Sequence, residues 1–166
     1  MNWRSFERRR PELAEAGRQL LNQFGVGLGF LATVAPDGAP RVHPICPILH
    51  AHGLFALLVP SPKRDDLHRD GRYALHSFPC EDDEDAFYVT GVARLEADPG
   101  IEADVRAAFV AERPGTDPTD LDAQAVFALG VDRVLLTRTT GHGDPSPRHT
   151  VWRASNPPDP DHPAAS

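Results

Sequence analysis

Four consecutive residues, Ser61-Pro62-Lys63-Arg64, stand where a short apolar run gives way to a polar segment with helical character. A serine at this boundary can cap a helix and a proline suits the first helical position. The free amides of such a turn form a ready anion site. Lys63 and Arg64 lie at the helix end where positive charge opposes the macrodipole, so a bound phosphate would relieve the misfit. The same residues also describe an ordinary N-terminal cap with two solvated cations, offset by Asp65 and Asp66. The stretch alone leaves both readings open.

The other residue types that carry chemistry are mostly histidines and acids. His50-x-His52 has a spacing that strands can use for metal, but it falls in an expected turn with no third ligand nearby, so no metal site is expected. His43 and His76 fall on expected strands, where they face either a cofactor or a wet barrel surface. The acidic run Glu81 to Asp85 lacks the glycine and the ligand spacing of a calcium loop and reads as solvated. Gly25-x-Gly27-x-Gly29 follows a helix and precedes a strand, the reverse of the order that places amides on a pyrophosphate. There is no Gly-x-Ser-x-Gly elbow. Cys46 and Cys80 are far apart and read as plain thiols in or near the core.

The elements that must position these groups are legible from periodicity. Leu13, Ala16, Leu20, Leu21 and Phe24 recur at helical spacing over Pro11 to Phe24. Phe30 to Ala35 reads as a strand closed by the tight turn Pro36-Asp37-Gly38. The return strand, Pro40 to Leu49, is interrupted by Pro44 and Pro47 and therefore belongs at an edge or is irregular. Leu54 to Val59 is apolar throughout, as a strand buried on both faces would be. A helix over Pro62 to Arg69, strands over Tyr73 to Phe78 and Ala86 to Glu96, a helix over Pro99 to Glu112 and a strand over Ala125 to Thr139 follow. Gly91 marks a bulge or a close approach. Six strands and three helices, joined mostly by short turns, predict a mainly β domain: an antiparallel barrel with helices packed outside. Residues 1–155 form that domain, and the proline-rich run 156–166 reads as a disordered tail.

In the order and spacing of three segments the chain resembles the pyridoxamine 5′-phosphate oxidase-like superfamily, which includes flavin and deazaflavin oxidoreductases with a split β-barrel. They are Phe30-Leu31-Ala32-Thr33-Val34 with Asp37 to Pro44, Ser61 to Leu67, and Val89-Thr90-Gly91-Val92-Ala93. The resemblance implies a six-stranded FMN-binding split barrel that works as a homodimer. It implies that Arg41, Val42, His43 and Pro44 meet the flavin ring and that Ser61, Lys63 and Arg64 hold the phosphate. Trp152 would cap the ring or the partner subunit, unless it is a core residue near the chain end. FMN is the first cofactor implied and the deazaflavin coenzyme the second. The second strand has no lysine in Arg41-Val42-His43-Pro44-Ile45, and the C-terminal substrate element is reduced to Val151-Trp152-Arg153-Ala154, which argues against vitamin B6 synthesis. Haem-degrading relatives of the fold make a haem site on His43, His76 or His149 the alternative, and a non-catalytic binding module is a third reading.

Composition narrows the partners. A formal net charge of −7 argues against a nucleic-acid footprint. The longest strongly apolar stretch, Leu54 to Val59, falls far short of the ~20 residues of a membrane helix. The arginine-rich start, Met1 to Arg10, is followed by no apolar segment and reads as neither secretory signal nor anchor. The expectation is a cytoplasmic oxidoreductase acting on a small molecule.

Overall fold

A computed structural model describes residues 1–154; the tail expected over 156–166 lies outside the described residues. Helices α1 (Trp3–Arg9) and α2 (Pro11–Leu21) precede strands β1 (Gly29–Val34), β2 (Pro40–Ile45), β3 (Pro47–His50) and β4 (Gly53–Leu58). Then come α3 (Pro62–Arg69), β5 (Arg72–Ser77), β6 (Ala86–Leu95), α4 (Pro99–Glu112), a short 3₁₀ turn at Pro118–Leu121, β7 (Ala125–Leu129), β8 (Arg133–Arg138) and β9 (Arg148–Arg153). All strand pairings are antiparallel, in the order β2-β1-β5-β6-β7-β4-β3, with β8 on β6 and β9 on β8. The result is a half-barrel with flanking helices. No helix of the described residues is long and apolar enough to cross a membrane.

The strand count is nine, not six, and each addition has a physical cause. The expected strand Pro40 to Leu49 turns a corner at Cys46: β2 pairs with β1 at one end of the strand order, β3 with β4 at the other. Both pieces are edge strands, which is where proline is tolerated. The expected strand Ala125 to Thr139 breaks at Gly130-Val131-Asp132, so that β7 and β8 lie on different parts of β6. The third addition, β9, was hidden among exposed polar residues. Helix α1 was also missed, although Asn2 caps it and Trp3 and Phe6 are buried one turn apart. Helix α2 stops at Leu21, leaving Phe24 exposed beyond it.

Burial on both faces of β4 holds. Leu54, Ala56 and Leu58 point into the barrel core, and Phe55 and Leu57 pack with Val105 of α4 and Leu121. The barrel core is closed at one end by Trp3 and Phe6 of α1 and by α2.

Gly91 is the point where β6 changes partners, from β8 on its first half to β7 on its second. The chain between β7 and β8 is stitched across it, with the Gly130 N–H donating to the Val92 carbonyl (3.0 Å) and the Asp132 N–H to the Thr90 carbonyl (2.8 Å). A Cβ on Gly91 would stand 1.8 Å from the Gly130 carbonyl oxygen, a backbone atom that has nowhere to go. Gly91→Ala is therefore expected to lower stability by about 3 kcal/mol or more, read as a reduced midpoint in urea unfolding.

Candidate functional site

Strand β2 supplies one wall. Its inward residues, Arg41 and His43, stand opposite Thr33 and Leu31 of β1, whereas Val42 and Pro44 face outward. Pro40 and Pro44 lack an N–H and sit at positions whose peptide groups point to the unpaired side; Val42 shares that parity and offers its own N–H and C=O to the free edge.

Helix α3 supplies the other wall. Ser61 occupies its N-cap in extended conformation, but its hydroxyl donates to the Val59 carbonyl (2.8 Å), so the expected side-chain cap is not made. The first turn is left without a side-chain acceptor, as an anion site requires. Lys63 is half-buried beside His43, close enough for its charge to act on the imidazole. Arg64 turns the other way and donates to the Ala123 carbonyl (3.2 Å), while its buried Nε has no protein partner.

Between the walls lies Asp66, which in the sequence stands only as an offset for the charges of Lys63 and Arg64. It is 2% exposed. Its carboxylate accepts from the Thr33 hydroxyl (2.8 Å), Arg41 Nε (2.9 Å) and Arg69 Nη1 (3.2 Å), and Arg69 also donates to the Val34 carbonyl. Burial alone would raise its pKa, but hydrogen bonds from Thr33 and Arg69 and the charge of Arg41 outweigh it and hold the carboxyl below the usual range. For His43, burial and then the charges of Lys63 and Arg41 push the pKa below the ordinary histidine value, with Asp66 opposing. The ring is thus neutral near pH 7, and its buried Nε2 has no partner.

Arg41, His43 and Lys63 are therefore brought together, with Arg41 braced by Asp66. Trp152 is not: it sits on β9 at the opposite edge of the sheet and packs on Phe6 (centroids 4.8 Å apart) against the core. The acidic loop also needs correction at one residue. Asp85 is buried, accepting from Arg138 (2.5 Å) and the Thr139 N–H (2.6 Å), whereas Glu81, Asp82 and Glu84 are exposed. His52 bonds Asp104 (3.1 Å), and no group of three or more metal-binding side chains is assembled among the described residues. Cys46 and Cys80 are free thiols, and burial and then Asp83 push Cys80 up to about 11. A cavity of about 550 Å³ lies elsewhere, between the β3–β4 turn and the second half of β6, lined by His52, Phe55, Arg94, Glu96 and Ile101.

No protein-family model and no curated protein matches the sequence. Solved structures do. A haem-binding protein from Mycobacterium smegmatis superposes with a TM-score of 0.67 at 21% identity, over 87% of this chain and 59% of that one. A putative pyridoxamine 5′-phosphate oxidase from Listeria innocua gives 0.60 at 18% identity, over 75% and 98%. The fold is the split β-barrel that these solved structures share. A third split barrel of this kind is the haem storage protein HutZ from Vibrio cholerae, at TM-score 0.58 and 20% identity over 74% and 89%. This chain spans 59% of the length of the Mycobacterium smegmatis protein.

Within this split barrel Asp66 was missed because an acid beside Asp65 on a polar helix looks solvated; the available signal was Thr33, a hydroxyl at a buried parity in an apolar strand that needs a polar partner. Asp66→Ala is expected to lower the unfolding free energy at pH 7 by about 2 kcal/mol or more. Because the folded pKa lies below the unfolded one, the ionic contribution is whole above about pH 4 and is lost as pH falls through the folded value. The gap between wild type and variant in urea unfolding should narrow below about pH 4; a gap constant with pH contradicts the ionic account.

Proposed function

We propose that this split barrel is an oxidoreductase that binds a phosphate-bearing flavin, FMN first and the deazaflavin coenzyme second, at the interface of a homodimer and acts on a small organic substrate. The observation that carries the reading is the buried, unpartnered His43 Nε2 held between Lys63 and Arg41 at the free edge of β2. These residues fit the group. Lys63 and the uncapped first turn of α3 suit a phosphate, and the open peptide groups of β2 with neutral His43 suit the polar edge of a flavin ring. When bound, the flavin supplies hydride or electron transfer. The protein's part is to bind, orient and exclude water: Asp66 fixes Arg41, and His43 Nε2 donates or accepts one hydrogen bond according to its tautomer.

Phosphate contacts do not suffice. Charge-assisted hydrogen bonds are worth ~1.5–3 kcal/mol each against about 8 kcal/mol for micromolar affinity, so the ring must also be covered. We propose that the ring lies along the free edge of β2 and that a second copy, docked on the outward face of β2-β1-β5-β6-β8-β9, extends past that edge to cover it. That face carries Val42 (60% exposed) and Val151 (48% exposed) with half-buried Phe30, Tyr88 and Leu135, an apolar area of the kind monomers seldom leave open.

A second reading, haem binding, draws support from His76. Its Nδ1 lies 2.7 Å from the Ser77 carbonyl, which fixes the tautomer whose Nε2 carries the lone pair, and it stands exposed between Phe30 and Tyr88 on the same face. Two of the similar structures are a haem-binding and a haem storage protein.

Lys63→Ala should weaken FMN about tenfold or more in a fluorescence-quenching titration, the loss of ~1.4 kcal/mol; unchanged affinity would sink the phosphate assignment. Light scattering at micromolar concentration should give twice the chain mass, and a monomer contradicts the covered face. Under the haem reading, added haem gives a Soret band that His76→Ala removes, while FMN leaves the fluorescence unchanged.

A further inference from the structure

Beyond Gly91, β6 leaves the strands whose outward face is given to a second copy and pairs with β7, which pairs in turn with β4. The outer surface of this second group is covered by α4. The cover is incomplete. Val105 of α4 is fully buried in one cluster with Phe55 and Leu57, but one turn earlier Ile101 is only half-buried, and the cavity of about 550 Å³ opens beside it. Register fixes the floor: Phe55 stands opposite Ala128, and Ala128 opposite Arg94. With only a methyl group between them, Phe55 and Arg94 are separated by two strand spacings, about 10 Å. His52, bonded to Asp104 of α4 (3.1 Å), closes the side at the β3–β4 turn. Cavities of roughly 300–1,000 Å³ hold small organic ligands.

Two opposite charges in the wall are held unpaired. Arg94 and Glu96 both line the cavity, and neither has an ion-pair partner among the described residues. They lie two residues apart on the same side of the extended chain, about 7 Å along it. Charges so placed would ordinarily meet. Here Glu96 Oε1 accepts from the backbone N–H groups of Ala97 (2.9 Å) and Asp98 (3.0 Å), which commits the carboxylate to the entry of α4, and no donor among the described residues reaches Oε2. The other charges at the rim are already matched, His52 with Asp104 and Asp132 with the Met1 ammonium (3.7 Å).

We propose that this cavity binds a free α-amino acid with an apolar side chain. A cation and an anion fixed near each other beside an apolar floor match the carboxylate and the ammonium that such a molecule carries on one carbon. Arg94 takes the carboxylate in its planar fork, Glu96 Oε2 accepts from the ammonium, and the side chain lies over Ala128 between Phe55 and Ile101. A ligand with only one of the two charges leaves the other wall charge desolvated and unmatched, so simple carboxylates and amines are discriminated against. The cavity lies at the Gly53 end of β4, whereas Ser61 and Lys63 follow its other end, and the proposal is independent of the flavin reading.

The test titrates the full chain with L-phenylalanine and follows the Ile101 δ1-methyl signal by nuclear magnetic resonance, assigned by its disappearance in Ile101→Val. The signal should shift saturably below about 10 mM. Phenethylamine, which lacks the carboxylate, and 3-phenylpropanoate, which lacks the ammonium, should each bind about tenfold or more weakly than the amino acid. Glu96→Gln, which keeps an acceptor for the Ala97 and Asp98 N–H groups, should abolish the advantage of phenylalanine over 3-phenylpropanoate. Arg94→Gln should abolish its advantage over phenethylamine. Lys63→Ala should leave the titration unchanged, and Arg94→Gln should leave FMN binding unchanged. No saturable shift with phenylalanine, an analogue that binds wild type as tightly as the amino acid, or a titration lost in Lys63→Ala overturns the proposal, whether or not FMN binds. A saturable shift with the expected selectivity in a protein that binds no FMN keeps the amino-acid site and removes the cofactor reading.

Discussion

One buried carboxylate sets the geometry on which the site depends. Asp66 draws a hydroxyl from β1, a guanidinium from β2 and a second guanidinium from its own helix into one cluster. An ionised carboxylate this deeply buried persists only when its oxygens are fully engaged. The cluster therefore holds α3 at a fixed height and rotation against the first hairpin. Lys63, three residues before Asp66, and His43, two residues after Arg41, face each other as a consequence, and neither could be moved without unpairing a buried charge.

The outward sheet face depends on the same hairpin differently. The residues of β2 alternate between the cluster and the outer surface, so fixing Arg41 and His43 inward presents Val42 and Pro44 outward. The inward cluster and the apolar surface proposed for a second copy are two sides of one strand, and they meet at its free edge.

Much of this was legible in the sequence where local chemistry and tertiary packing agree. The proline turn after β1, the fully apolar β4 and the Pro-initiated helices α3 and α4 each follow from residues within a few positions, and α3 and α4 have the bounds expected of them. Edge placement of the proline-bearing strands was legible for the same reason. What was not legible is set by partners far along the chain. Nothing near Cys46 says that the strand turns a corner there, and Gly130 becomes a break only because β6 passes beneath it. Asp66 and Asp85 read as surface acids because their partners lie 33 and 53 residues away, in Thr33 and Arg138. The contact of Trp152 with Phe6 was not legible either, because Phe6 lies in a helix the periodicity did not disclose.

The shared strand β6 has a consequence for how the chain comes together. It serves β5 along one side, and on the other it divides itself between β8 and β7, which arrive only after residue 125. Until then, the first three-quarters of the polypeptide can make the β1–β2 and β1–β5 ladders but must keep both β4 and β6 with a raw side. Contacts of such long sequence separation close late and slowly. During synthesis the nascent chain will carry two half-paired strands past the ribosome exit, and its quality as a folding substrate rests on how quickly one segment of about fifteen residues docks into the gap.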